Sequence, residues 1–110
     1  MTLLIRTLQS HAEKYPNNIA IRTSSLTLSY VQLLQQVSQL AKLLRTLDVS
    51  RLAILDDNTP AWVIVDLAGQ MIGVTVVPVP LFFSIEQQQH LVNQSGVQVV
   101  ISSDTLLLET

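Results

Sequence analysis

Few places in this 110-residue chain bring together side chains that could do chemistry. Asp56-Asp57-Asn58 is the densest polar cluster. Two neighbouring carboxylates could hold a metal ion or share acid and base roles. Adjacent residues of a strand point to opposite faces, however, so the pair converges only if the chain has already left the strand. Acids just ahead of a helix are also what the helix dipole favours, and that plainer reading takes precedence. His11 and His90 are the two histidines and could serve as general bases. Each falls on an expected helix, far from the other in sequence and without an HxxxH or HExxH companion. His90 follows three glutamines, as a solvated helix residue would. No serine sits in a GxSxG or SxxK setting. Trp62 falls in the first turn of a helix, where a buried anchor is a better reading than a ligand platform.

Phosphate cradles need glycine-rich turns between a strand and a helix. Gly69, Gly73 and Gly96 are the only glycines, and they fall inside or after helices. With neither GxGxxG nor GxxxxGK[ST], these residues are not expected to hold a nucleotide's phosphates themselves. Cysteine is absent, which excludes a disulfide framework, a thiol nucleophile and a Cys-ligated metal. The residues by themselves therefore nominate no catalytic, cofactor-binding or metal-ligating group.

The elements that would position such groups are much clearer. Residues 2–15 have the spacing of an amphipathic helix, with Leu4, Leu8, Ala12 and Tyr15 on one stripe and Pro16 to end it. Residues 18–23 and 26–28 alternate as two short strands around Ser24-Ser25, a hairpin. Ser29 and Gln32 have capping-box spacing at the start of a long helix. Its stripe is Leu33, Val37, Leu40, Leu44 and Leu47, widened by Leu34 and Ala41. Residues 51–55 form a strand. Asn58-Thr59-Pro60 begins a mostly buried helix over 61–72, with Asn58 or Thr59 as cap and Gly73 at its exit. Residues 74–79 form the next strand. Ser84 and Gln87 repeat the capping-box spacing for a helix ending near Ser95-Gly96, residues 97–101 form a strand, and Ser103 or Asp104 is expected to begin another helix.

From residue 29 the order is thus helix and strand in alternation, with strands nearly continuous in Val, Ile and Leu, as parallel strands covered on both faces require. The expected fold is α/β: a Rossmann-like open, mostly parallel sheet with helices on both faces, preceded by a helix and hairpin over residues 1–28. Ligands of such sheets bind beyond the carboxyl ends of the strands. Here those ends lead into Asp56-Asp57-Asn58, Pro80–Phe83 and Ser102-Ser103-Asp104.

Composition bounds the possibilities. Hydrophobic residues make up 48% of the chain and charged residues 13%, against about 25% charged in typical soluble domains. So short and apolar a chain has the character of a piece of a larger core, or of a module that covers an apolar face with a partner. A net charge of -2 and dispersed cations argue against nucleic acid. The first residues, MTLLIRTLQSHAEKYP, are broken by Arg6 and lack the pattern of a secretory signal, so the expected compartment is the cytoplasm. Residues 61–83 are long enough to span a bilayer, but Asp66, Gly73, Pro78 and Pro80 interrupt the run, and no integral membrane segment is expected.

Three blocks resemble the start of the AMP-forming, or adenylate-forming, ligases, a superfamily that includes acyl-CoA synthetases, peptide-synthetase adenylation domains and luciferases. LQSHAEKYPNNIAIRTSSLTLSYVQL is similar to the family's opening helix, Pro, strand and L-[ST]-Y-x-x-L block, here Leu28, Ser29, Tyr30 and Leu33. RLAILDDNTPAWVIVDLAGQMIGVTVVPVP is similar to the strand, Asn-x-Pro turn, helix and V-x-V-P strand that follow, through Asn58, Pro60, Gly73, Val74, Val76, Val77, Pro78 and Val79. LFFSIEQQQHLVNQSGVQVVISSD resembles the next helix and strand, with its Ser95-Gly96 exit. Two departures stand out. The family's Gly and Gly-Asp turn is LDVSRLAIL here, and the polar residue after V-P-[LIV] is replaced by Pro80, then Leu81-Phe82-Phe83.

The resemblance implies that residues 1–110 are an incomplete part of a larger ligase N-terminal domain. The implied parent activates a carboxylic acid, fatty in preference to amino, as an acyl-adenylate and passes it to a thiol, with ATP, Mg²⁺ and coenzyme A as cofactors. The family's phosphate loop, acid motif and catalytic lysine have no counterpart here, so no catalytic residue is carried over and the isolated chain is expected to be inactive. Its expected partners are the remainder of the ligase, or itself through exposed apolar surface. The competing reading is a non-catalytic α/β module that dimerises or binds a protein partner.

Overall fold

A computed structural model of the chain describes residues 2–55, 59–102 and 105–108. Helix α1 (Leu3–Lys14) leads into a hairpin of β1 (Ile19–Arg22) and β2 (Thr27–Ser29), and α2 (Tyr30–Thr46) follows at once. Then come β3 (Arg51–Leu55), α3 (Pro60–Ile72), β4 (Thr75–Pro78), α4 (Ile85–Ser95), β5 (Val99–Ser102) and β6 (Thr105–Leu108).

Local chemistry sets most of these boundaries. The Thr2 hydroxyl caps α1 by accepting from the Ile5 N–H. Both expected capping boxes form: Ser29 with Gln32 on α2, and Ser84 with Gln87 on α4. The Thr59 hydroxyl accepts from the Trp62 N–H, and Pro60 occupies the first turn of α3. At the hairpin tip the Thr23 hydroxyl accepts from the N–H groups of Ser25 and Leu26. Gly73 and Gly96 end α3 and α4 with φ of 75° and 68°, a backbone conformation costly for residues with a Cβ. Gly69 answers a different need. A Cβ there would lie 2.6 Å from Val76 Cγ2, so its absence lets α3 sit down on β4.

The strands form a sheet in the order β4-β3-β5-β6, with β3 parallel to both β4 and β5 and β6 antiparallel to β5. From β3 the chain moves outward to β4, then returns past β3 to β5. Crossovers of one hand that run in opposite directions place their helices on opposite faces. So it is here. Leu52, Ile54, Val76, Val99 and Ile101 face the large core built with α1, α2 and α3. Ala53, Leu55, Val77, Val79 and Val100 face a smaller cluster with Leu91 and Val92 of α4. Helices on both faces of a mostly parallel sheet are the architecture expected from the sequence.

Three expectations are corrected. On α1 the buried stripe is Ile5, Leu8 and Ala12, while Leu4 and Tyr15 are more than half exposed. The helix is rotated so that fully buried Ile5, rather than Leu4, meets the core. Leu47 was expected on the α2 stripe, but it is the C-cap of that helix and is exposed. Finally, Ser103 and Asp104, where another helix was expected to begin, lie outside the described residues, and Thr105–Leu108 beyond them is a strand that pairs antiparallel with β5. Four consecutive Thr and Leu residues have no helical periodicity, and the open side of β5 satisfies their backbone groups.

The strand expected over 74–79 is shorter, and Pro78 lies within it, paired with Ile54. The N–H groups of Thr75 and Val79 point to β3, bonding the Ser50 and Ile54 carbonyls at 3.0 and 2.9 Å. Alternate backbone groups point the other way, so Pro78 places its ring nitrogen on the outer side, where no ladder bond is lost.

Candidate functional site

The carboxyl ends of β3, β4 and β5 lie along one edge of the sheet because the three strands are parallel. The chain leaves β3 for β4 in one direction and β4 for β5 in the other, so the strand order reverses between β3 and β5 and the topological switch point lies at those two ends, one strand over from the end of β4. The segment after β4 forms much of the described rim. Val79 is still buried and bonded to β3, whereas Leu81, Phe82 and Ile85 are 50%, 87% and 74% exposed. The Phe83 N–H donates to the Pro80 carbonyl at 3.2 Å, closing a tight turn. Gln88 Nε2 then donates to the Phe83 carbonyl at 3.1 Å and holds that turn on α4. The Phe82 and Phe83 rings meet edge to face, 5.3 Å apart at 83°.

Beside this turn runs a groove of about 390 Å³ lined by Phe83, Glu86, Gln87, His90, Leu91 and Gln94. An apolar floor with carboxamide, imidazole and carboxylate groups on its wall can accept an apolar group. His90 belongs to this wall and is solvent-exposed, as expected of it.

His11 lies on the other side of the sheet. Its ring packs edge to face on Tyr30 at 5.0 Å and Tyr15 at 5.9 Å. With Leu4, Leu8, Ile21, Val63 and other residues it lines a second groove, of about 260 Å³, between α1, the hairpin, α2 and α3. The two histidines therefore never share a site. The aromatic cluster of Tyr15, His11 and Tyr30 was not anticipated from the sequence. Its local signal is the i, i+4 spacing of His11 and Tyr15 on a helix face. Trp62 is half-buried against the large core, in keeping with an anchor. Asp66 accepts from Gln70 Nε2 at 3.0 Å, and Gln70 Oε1 accepts from the Thr2 hydroxyl at 3.0 Å, a polar chain that ties α3 to the cap of α1.

Asp56, Asp57, Asn58, Ser103 and Asp104 lie outside the described residues. Among the described residues, no group of three His, Cys, Asp or Glu side chains could hold a metal ion. At the starts of α3 and α4, side-chain caps occupy some of the N–H groups that a phosphate would use. A cradle needs backbone N–H groups turned toward the ligand at a helix start. At α4 the Ser84 and Gln87 N–H groups are bonded within their capping box. At α3, Pro60 carries no N–H and that of Trp62 is held by Thr59. No helix among the described residues is long and apolar enough to cross a membrane.

The turn between α2 and β3, where a glycine was missing, is made by Asp48, whose φ is 56°. Aspartate tolerates this left-handed conformation better than most residues with a side chain. The Gln98 carboxamide completes the turn. Its oxygen accepts from the Ser50 N–H at 2.6 Å and the Arg51 N–H at 3.1 Å, and Arg51 Nε donates to the Ser95 carbonyl at 2.8 Å.

The family model for AMP-binding enzymes matches residues 8–110. Among solved structures, the N-terminal subdomain of Klebsiella oxytoca NpsA in complex with 3-hydroxyanthranilyl-AMSN superposes with a TM-score of 0.79 at 22% identity, over 96% of this chain and 28% of that one. A variant of coronafacic acid ligase from Pectobacterium brasiliense gives 0.83 at 21% identity, over 89% of this chain and 20% of that one. Unliganded O-succinylbenzoate coenzyme A synthetase (MenE) from Bacillus subtilis gives 0.77 at 22%, over 88% and 22%. The chain thus spans between a fifth and under a third of the length of these structures. A search of curated protein sequences found no match.

Proposed function

Since the chain belongs to the family of AMP-binding enzymes, we propose that it is scaffold from the N-terminal domain of an ATP-dependent ligase, residues 1–28 as helix and hairpin and 29–110 as alternating α/β units. The parent enzyme activates a carboxylic acid as its acyl-adenylate and passes the acyl group to a thiol such as that of coenzyme A. One observation carries this reading. The family pattern runs through residues 8–110, and the same fold occupies only 20–28% of the similar solved structures. A division in which this segment supplies the frame and other polypeptide supplies the groups that act on ATP and Mg²⁺ accounts for both facts. The partner of the chain is then the remainder of that ligase, in the cytoplasm, where ATP and coenzyme A are at hand.

The favoured acid is a fatty acid, on the strength of the apolar Leu81-Phe82-Phe83 turn where a polar residue would suit a polar substrate. Aromatic acids are the rival class, because the names of two similar structures carry hydroxyanthranilyl and succinylbenzoate groups. The test has two arms. Purified residues 1–110 with ATP, Mg²⁺ and fatty, aromatic or amino acids are expected to release no pyrophosphate, and measurable turnover overturns the assignment of the chemistry to other polypeptide. The product of the complete reading frame is expected to show acid-dependent exchange of labelled pyrophosphate into ATP, greatest with fatty acids. No exchange with any acid, or a stop codon directly after Thr110, overturns the ligase reading in favour of a non-catalytic module.

A further inference from the structure

The two outer edges of the sheet differ in what they can offer another strand. Strand addition requires a row of outward N–H and C=O groups in register. On β4, Thr75 and Val79 spend their N–H groups on β3. The intervening alternation assigns Val74, Val76 and Pro78, and Pro80 beyond the strand, to the outer side. The Val74 N–H is already bonded to the Gly69 carbonyl at 2.9 Å, as part of the turn that ends α3. Pro78 and Pro80 have no N–H to give. Of four outward positions, only Val76 keeps a donor for an incoming strand. β6, at the other edge, contains no proline between Thr105 and Leu108.

From this we infer that β4 is a closed edge, and that Pro78 and Pro80 prevent a second copy of this chain from adding a strand there. The position of the prolines is what gives the inference its force. Had the register placed Pro78 one residue earlier or later, its nitrogen would face β3 and break the sheet from within. On the outer side it leaves the Thr75 and Val79 bonds intact and removes only donors that a neighbour would use. An apolar strand with few charges nearby would otherwise be a template for edge-to-edge pairing.

Amide hydrogen exchange on the unmodified chain, from dilute to concentrated solution, tests this directly. The Val76 amide is expected to exchange within about tenfold of the unprotected rate at every concentration, while the Thr75 and Val79 amides are slowed by at least about a hundredfold. Concentration-dependent protection of Val76 overturns the inference. Pro78→Thr, alone and with Pro80→Thr, supplies the second reading. Restoring one or two outward donors is expected to strengthen self-association about tenfold, the value of roughly one net hydrogen bond, with Val76 becoming protected as it does so. A folded double variant with the unmodified association constant overturns the inference.

Discussion

The two faces of the four-stranded sheet are made from alternate residues of the same strands, yet they are finished to different degrees. Toward α1, α2 and α3 the sheet presents Leu52, Ile54, Val99 and Ile101, which join a core reaching from Ile5 to Ala68. Toward α4 it presents Ala53, Val100 and Val79, in a cluster of four buried residues with Val97. α2 buries Leu33, Val37, Ala41 and Leu44, whereas α4 buries no residue to the same degree. Both helices begin with the same Ser and Gln capping box. The difference is therefore not in local helix signals but in how much apolar surface each helix has to cover. Stability should reside on the first face, and looseness on the second, where Phe82 and Ile85 are exposed.

The sharpest way to break this comparison is to shorten one side chain on each face. Val99→Ala should cost about 2.5 kcal/mol in urea denaturation, because Val99 is 1% exposed within the large core. Val100→Ala, the next residue of β5 and on the other face, should cost about 1.5 kcal/mol. Equal losses would mean that α4 is as firmly seated as α2. A finer contrast comes from the caps. Ser29→Ala and Ser84→Ala each remove a side-chain acceptor worth about 1 kcal/mol. The first should lower the global unfolding free energy by that amount. The second should leave the denaturation midpoint almost unmoved while α4 amides exchange about fivefold faster, because α4 opens locally. The smallest effect belongs to neither face. Asp48→Gly relieves a left-handed backbone and adds freedom to the unfolded chain, for a net gain of about 0.5 kcal/mol in the same denaturation experiment. A loss there would show that the Asp48 side chain supports the turn in its own right.

Much of the fold was legible because its signals are local. Ser29-Gln32 and Ser84-Gln87 announced their helices, Pro60 a helix start, and Gly73 and Gly96 the exits. What depended on tertiary packing was harder to read. Leu4 and Ile5 are equally apolar, and only the rotation of α1 against its neighbours decides that Ile5 is buried. Thr105–Leu108 carries no strong preference by itself and becomes a strand because β5 has a side to fill. The candidate site was legible as a place, the carboxyl edge, since topology alone dictates it. Its contents were not. The groove beside Phe83 is lined from α4 residues spaced three and four apart, a pattern that polar Gln87 and Gln94 hide in sequence. The His11 cluster required the fold to bring Tyr30 across from α2.

Gln98 has a consequence for how the sheet chooses its alignment. Its carboxamide oxygen reaches Ser50 and Arg51, partners 48 and 47 residues away, immediately before and at the first residue of β3. Val99, the next residue, is the first of β5 and pairs with Leu52. Parallel strands have no hairpin to set their offset, and a slip by one residue would send Val99 and Ile101 into the shallow cluster and Val100 into the deep core. The same slip would pull the carboxamide off both N–H groups at once. One neutral side chain thus works as a vernier for two strands far apart in sequence, adding its two hydrogen bonds to the hydrophobic pattern in favour of a single alignment.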